Sequence, residues 1–82
     1  MERKLTKAHQ IEYEQFLQSI GNNIQKKRKK LGLTQENLDA EPLAINDRNL
    51  RRIEAGKRNF TMKTLFALAK KLNCNPEDLL RK

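Results

Sequence analysis

Arg48, Asn49, Arg51 and Arg52, followed by Lys57, Arg58 and Asn59, crowd hydrogen-bond donors and positive charge into NDRNLRRIEAGKRN, residues 46–59. An arginine fork can form two parallel bonds to a guanine edge, and an asparagine amide can do the same on adenine, each worth roughly 1–3 kcal/mol of discrimination. Lys57 and Arg58 beside them add phosphate neutralisation and counterion release, which are indifferent to sequence. This is the chemistry of recognition, not of bond making. An enzyme needs a nucleophile, base or metal set, and one histidine, His9, and one cysteine, Cys74, far apart in the chain do not supply it. Glu12 and Glu14 read as ordinary helix-surface carboxylates. No cofactor, metal or small-molecule ligand is expected.

The whole chain carries the same bias. Its 82 residues hold 18 Lys and Arg against 10 Asp and Glu, a net charge of +8 and a pI near 10.0, which favours a polyanionic partner and says nothing about fold. At this length one domain with a small core is expected, with little room for a buried catalytic cavity. A lone cysteine cannot form a disulfide framework, so apolar packing must hold the core, and a reducing cytoplasm suits it. The start, MERKLTKAHQ, lacks the apolar stretch of a signal peptide, and no apolar run reaches the length of a membrane span.

The elements that must position these residues are helical throughout. Ile11, Phe16, Leu17, Ile20, Ile24 and Leu31 form one stripe, predicting a helix from about Ile11 or Tyr13 to Lys30, weakened by Gly21 and stopped by Gly32. Residues 1–9 carry no periodic signal and are expected to be a mobile leader, with the domain proper over residues 10–82. Thr34 can cap a second, short helix from Gln35 to near Ala40 that contains Leu38, before Pro42 and a turn through residues 41–45. Asn46 caps a third, residues 47–55, with Leu50, Ile53 and Ala55 inward, and Gly56 ends it. Thr61 caps a fourth, with Leu65, Phe66, Leu68, Ala69 and Leu72 on its apolar face. Asn75 and Pro76 start a fifth that carries Leu79 and Leu80. Five helices with a tight turn between the second and third match a helix-turn-helix plan.

Three segments, GLTQENL, LRRIEAGKRN and TLFALAKKLNCNPEDLL, lie in consistent order between Ile20 and Leu80, and together the chain resembles the Cro and lambda-repressor-like family, the xenobiotic-response-element type. The resemblance implies an all-α, five-helix lambda-repressor-like bundle whose third helix enters the major groove of double-stranded DNA. It places Asp47, Arg48, Asn49 and Arg52 toward base edges. It puts Gln35, at the start of the second helix, on a phosphate; Arg51, Lys57, Arg58 and Asn59 join it in holding the backbone. It also pairs Arg28 with Glu54, which would explain an acid in the most basic stretch. The turn EPLAIND departs from the family pattern, with Pro42 and one residue more, so a shift of one position would bring Asn46 or Leu50 into question. Asp47 can accept from a cytosine amine or merely favour the helix start through the macrodipole.

The expected function is therefore that of a transcriptional regulator, repressor or controller-type, reading operator half-sites as a homodimer in the cytoplasm. Dimer contacts could come from Leu79 and Leu80, or from Ile11, Tyr13 and Phe16. The alternative is a protein-interaction module such as an antitoxin or adaptor, but the third helix offers polar groups where such a surface would want apolar anchors. Membrane-surface binding lacks an aromatic rim. QKKRKK, residues 25–30, reads as a solvated helix face. Cys74, Phe60 and Phe66 read as core, and His9 as neither ligand nor base.

Overall fold

The computed structural model describes residues 5–81, and among these it holds four α-helices, one 3-10 turn and no strand: α1 Lys7–Lys30, the turn Glu36–Leu38, α2 Asp47–Glu54, α3 Met62–Lys71 and α4 Pro76–Leu80. The expected five-helix count is thus corrected to four, because the second helix does not form. Thr34 does act as a cap: its hydroxyl accepts from Asn37 N at 3.1 Å while Asn37 Oδ1 accepts from Thr34 N at 2.7 Å. Yet the backbone then closes through i→i−3 bonds, Leu38 to Gln35 at 3.2 Å and Asp39 to Glu36 at 3.0 Å, giving a single tight turn. The residues left before Pro42 are too few to propagate an α-helix, and proline brings no N–H to extend it. The chain continues irregularly through Pro42 and Leu43, and Ile45 N returns to Leu38 O at 2.8 Å. Leu43 has φ +62°, a left-handed conformation uncommon for a branched side chain.

Other boundaries follow local chemistry. α1 begins earlier than Ile11 because the Thr6 hydroxyl accepts from His9 N at 3.2 Å, so Lys7–His9 form its first turn. The expected leader therefore shortens at its inner end; residues 1–4 lie outside the described residues. Asn46 and Thr61 cap α2 and α3 through their side chains, and Asn75 and Asp78 make a reciprocal capping box at α4. Three helices end alike. After α1, Gly32 N bonds Lys29 O and Leu33 N bonds Arg28 O, both at 3.0 Å. The same double closure recurs after α2 at Gly56 and Lys57, and after α3 at Asn73 and Cys74. Each needs a left-handed residue, supplied by Gly32 (φ +72°), Gly56 (φ +72°) and Asn73 (φ +56°).

α1 packs on α2 and α4, and α3 packs on α4. Ile20, Ile24, Leu38, Ile45, Leu50, Ile53, Leu65, Leu68, Leu72 and Leu79 build the core, with Leu33, Phe60 and Cys74 half-buried against it. The 3-10 turn still contributes Leu38, so its burial survives the loss of a helix. Burial also pushes the Cys74 thiol above its ordinary pKa, which suits a core-packing role. Several expected core residues are outside: Ile11 and Phe16 on α1, Leu31 just after it, Ala55 just after α2, and Phe66, whose ring lies under Lys70 Nζ at 5.2 Å from its centroid. Leu79 is fully buried, which removes it from the expected dimer contacts and leaves Leu80, 38% exposed.

Gly21 does not weaken α1 so much as let it approach. A Cβ there would lie 2.5 Å from the carbonyl oxygens of Ile53 and Glu54, so the end of α2 rests directly on the α1 backbone.

Candidate nucleic-acid interface

α2 is held by its inner side and offers its outer side. Leu50 and Ile53 are buried at 0% and 1% exposure, while Arg48, Arg51 and Arg52 face solvent. Asp47 and Asn49 are half-buried. Arg51 Nη2 lies 3.9 Å from Asp47 Oδ2, one turn along the same helix, and offsets the charge that would otherwise repel a phosphate. Asn49 Oδ1 is buried without a hydrogen-bond partner, so the oxygen of that amide faces the domain. Of the residues expected at base edges, Arg48 and Arg52 are the freely presented ones.

The loop after α2 keeps Lys57, Arg58 and Asn59 exposed, but its path is set by α1. A Cβ on Gly56 would come within 2.8 Å of Gln18 Cα, and the Tyr13 hydroxyl donates to Asn59 Oδ1. The exposed loop is therefore braced at both ends by the first helix. Tyr13, expected as a dimer contact, instead reaches Asn59; a tyrosine on an amphipathic helix carries no signal for a partner 46 residues away.

Beneath α2 sits an ion pair. Arg28 Nε donates to Glu54 Oε2 at 2.7 Å and Arg28 Nη2 to Glu54 Oε1 at 3.0 Å, with both residues buried. The remaining Arg28 nitrogen, Nη1, donates to Leu33 O at 2.8 Å, so the fork is used on three sides. The hydrogen bond to Glu54 raises the Arg28 pKa above its ordinary value against the opposing effect of burial. Gln35 Nε2 also donates to Glu54 Oε1, at 3.1 Å. Gln35, expected on a phosphate, thus has its amide nitrogen committed to the ion pair. A groove of about 410 Å³ nevertheless gathers Lys29, Thr34, Gln35, Asp47 and Arg51 at one mouth, between the end of α1 and the start of α2.

A short turn leading into a helix that is anchored inside, arginine-rich outside and followed by a basic loop defines the helix-turn-helix class. A family model described as helix-turn-helix matches residues 24–79, and the chain belongs to that family, the Cro and lambda-repressor-like type of DNA-binding transcription regulators. The comparisons with curated proteins and with solved structures give no match. The family match begins in the last third of α1, so most of that helix, including Tyr13 and Phe16, precedes it.

Proposed function

We propose that the chain is a transcriptional regulator of repressor or controller type that reads operator half-sites with α2 and acts in the cytoplasm as a homodimer. The observation that carries this reading is the pair Arg48 and Arg52, exposed one turn apart on a helix whose opposite side is buried in the core. Side chains four residues apart share a helix face, which lets both reach one groove. Asp47 and the amide nitrogen of Asn49 complete the reading edge, the Asn49 oxygen being buried. Lys57, Arg58 and Asn59, with Arg51, hold the phosphates on either side, while Gln35 acts through Glu54, to which its amide nitrogen donates. One helix reads only a few base pairs, so pairing two copies on half-sites one helical turn apart supplies the missing affinity. No helix among the described residues is long and apolar enough to cross a membrane.

The test is selection from a random pool of duplexes, repeated at two salt concentrations. A two-fold symmetric consensus that persists at the higher salt is the expected result. Failure to enrich any sequence, with retention of a protein partner instead, would replace this reading by the antitoxin or adaptor alternative.

A further inference from the structure

Lys26, Lys27 and Lys30 are not on the side of α1 that meets α2. Arg28 points to Glu54 of α2, and Lys26 and Lys30 lie two residues to either side of it, about 160° round the helix at 3.6 residues per turn. There they meet α4. Asn23 Nδ2 donates to Leu79 O at 3.0 Å and also to Arg81 O, which docks the end of α4 beside these lysines. The result is an open groove of about 370 Å³ lined by Asn23, Lys26, Lys27, Lys30, Asp78 and Arg81. Its one acid is already engaged: Asp78 Oδ2 accepts from Asn75 N at 3.1 Å, and Oδ1 lies 3.7 Å from Arg81 Nη2. Lys26 and Lys30 are exposed on the rim, with no ion pair to either recorded within 4 Å among the described residues.

We propose that this face is a second backbone-binding surface for duplex DNA, so that one protomer can hold two duplex segments on opposite sides. Calling it the second surface rests on the assignment of α2 to the first. The chemistry favours a polyphosphate over an acidic protein, because the groove has no apolar lining residue on which a protein partner could anchor. It favours a polymer over a lone phosphate, because the exposed cations Lys26, Lys30 and Arg81 share the groove with the half-buried carboxylate of Asp78 instead of converging on one point free of acid. Flexible lysines on a helix face can follow a phosphate backbone without reading bases. The same straight duplex cannot touch both surfaces, since the domain is 25 by 21 Å across its shorter axes.

The experiment uses the full chain and a bridging assay. One random-sequence duplex is immobilised and saturated with protein, and capture of a second, labelled duplex is measured. In the variant Lys26→Gln, Lys27→Gln, Lys30→Gln, capture of the second duplex is expected to fall at least tenfold. Affinity for a single short duplex should change less than threefold at 0.15 M salt, because these lysines line the α4 side of α1, away from α2, and exposed charges are screened at that ionic strength. Capture equal to that of the unmodified protein would overturn the proposal, and would show that bridging comes from two reading helices of a dimer. Preference for poly-glutamate over duplex at matched charge would also overturn it, in favour of an acidic protein partner. The reverse variant, Arg48→Ala, Arg52→Ala, Lys57→Ala, is expected to lose sequence preference but keep salt-sensitive duplex binding; loss of all duplex binding would count against the second surface. If the lysine variant instead loses short-duplex binding with unchanged thermal unfolding, the assignment of α2 as the first surface fails, and the lysine face is the primary one.

Discussion

Glu54 carries a negative charge into the most basic segment of the chain, and the structure shows what it is for. Its two oxygens accept from Arg28 and Gln35, so it ties α1, the 3-10 turn and α2 together at one buried point. Removing the carboxylate leaves a buried guanidinium without its partner, and Glu54→Ala is expected to lose about 3–5 kcal/mol in urea unfolding. Arg28→Met combined with Glu54→Leu should recover most of that loss, because no uncompensated charge remains. An unchanged denaturation midpoint in the single variant would refute the role. Because the Arg28 pKa is raised in the folded state, its share of the stability is fully present at neutral pH and is lost only as pH climbs above the ordinary arginine range. Arg52 and Lys57 separate the two tasks of the outer surface. Arg52→Ala should relax sequence preference, with discrimination falling by about 1–3 kcal/mol at one base position. Lys57→Ala should weaken all duplexes alike and flatten the log–log salt dependence by about 0.9. Equal losses on every sequence for both variants would remove the distinction.

At the scale of elements, what was legible depended on how local the determinant is. The caps Asn46, Thr61 and Asn75 and the stops Gly32 and Gly56 act within a few residues of themselves, and the structure uses all of them. The segment after Thr34 misled because its cap and its apolar Leu38 are those of a helix start, whereas the distance to Pro42 allows only one turn. Burial was legible only as a stripe. Periodicity finds the face that holds Ile20 and Ile24, but not that the bundle ends before Ile11 and Phe16, nor that Phe66 falls beside the core rather than in it. The Arg28–Glu54 contact was legible through family resemblance alone, since a pair 26 residues apart has no local signature. Gly21 is the plainest case of a long-range cause hidden in one residue. In isolation Gly21→Ala would favour the helix by roughly 1 kcal/mol. Here the added Cβ would meet two backbone carbonyl oxygens at 2.5 Å, and backbone cannot rotate away as a side chain would. A net loss of about 1–3 kcal/mol in urea unfolding is expected, and a stabilised variant would show that α1 and α2 can separate at no cost.

The whole molecule is longer than its bundle requires. α1 at 24 residues spans about 36 Å at 1.5 Å per residue, close to the 38 Å long axis. Its first turns run past the core. They brace the basic loop through Tyr13 and Gln18, yet leave Leu5, Ile11 and Phe16 between 43% and 50% exposed. Leu80, at the other candidate dimer contact, is less exposed and sits alone once Leu79 is buried. If the homodimer forms through α1, Phe16→Lys should shift the monomer–dimer equilibrium toward monomer in sedimentation equilibrium. It should weaken binding to a two-half-site duplex at least tenfold and leave single half-site binding nearly unchanged, because effective concentration is lost while α2 is untouched. Leu80→Lys serves as the contrast. Should that variant dissociate the dimer and Phe16→Lys not, α4 carries the interface and the length of α1 serves the loop alone.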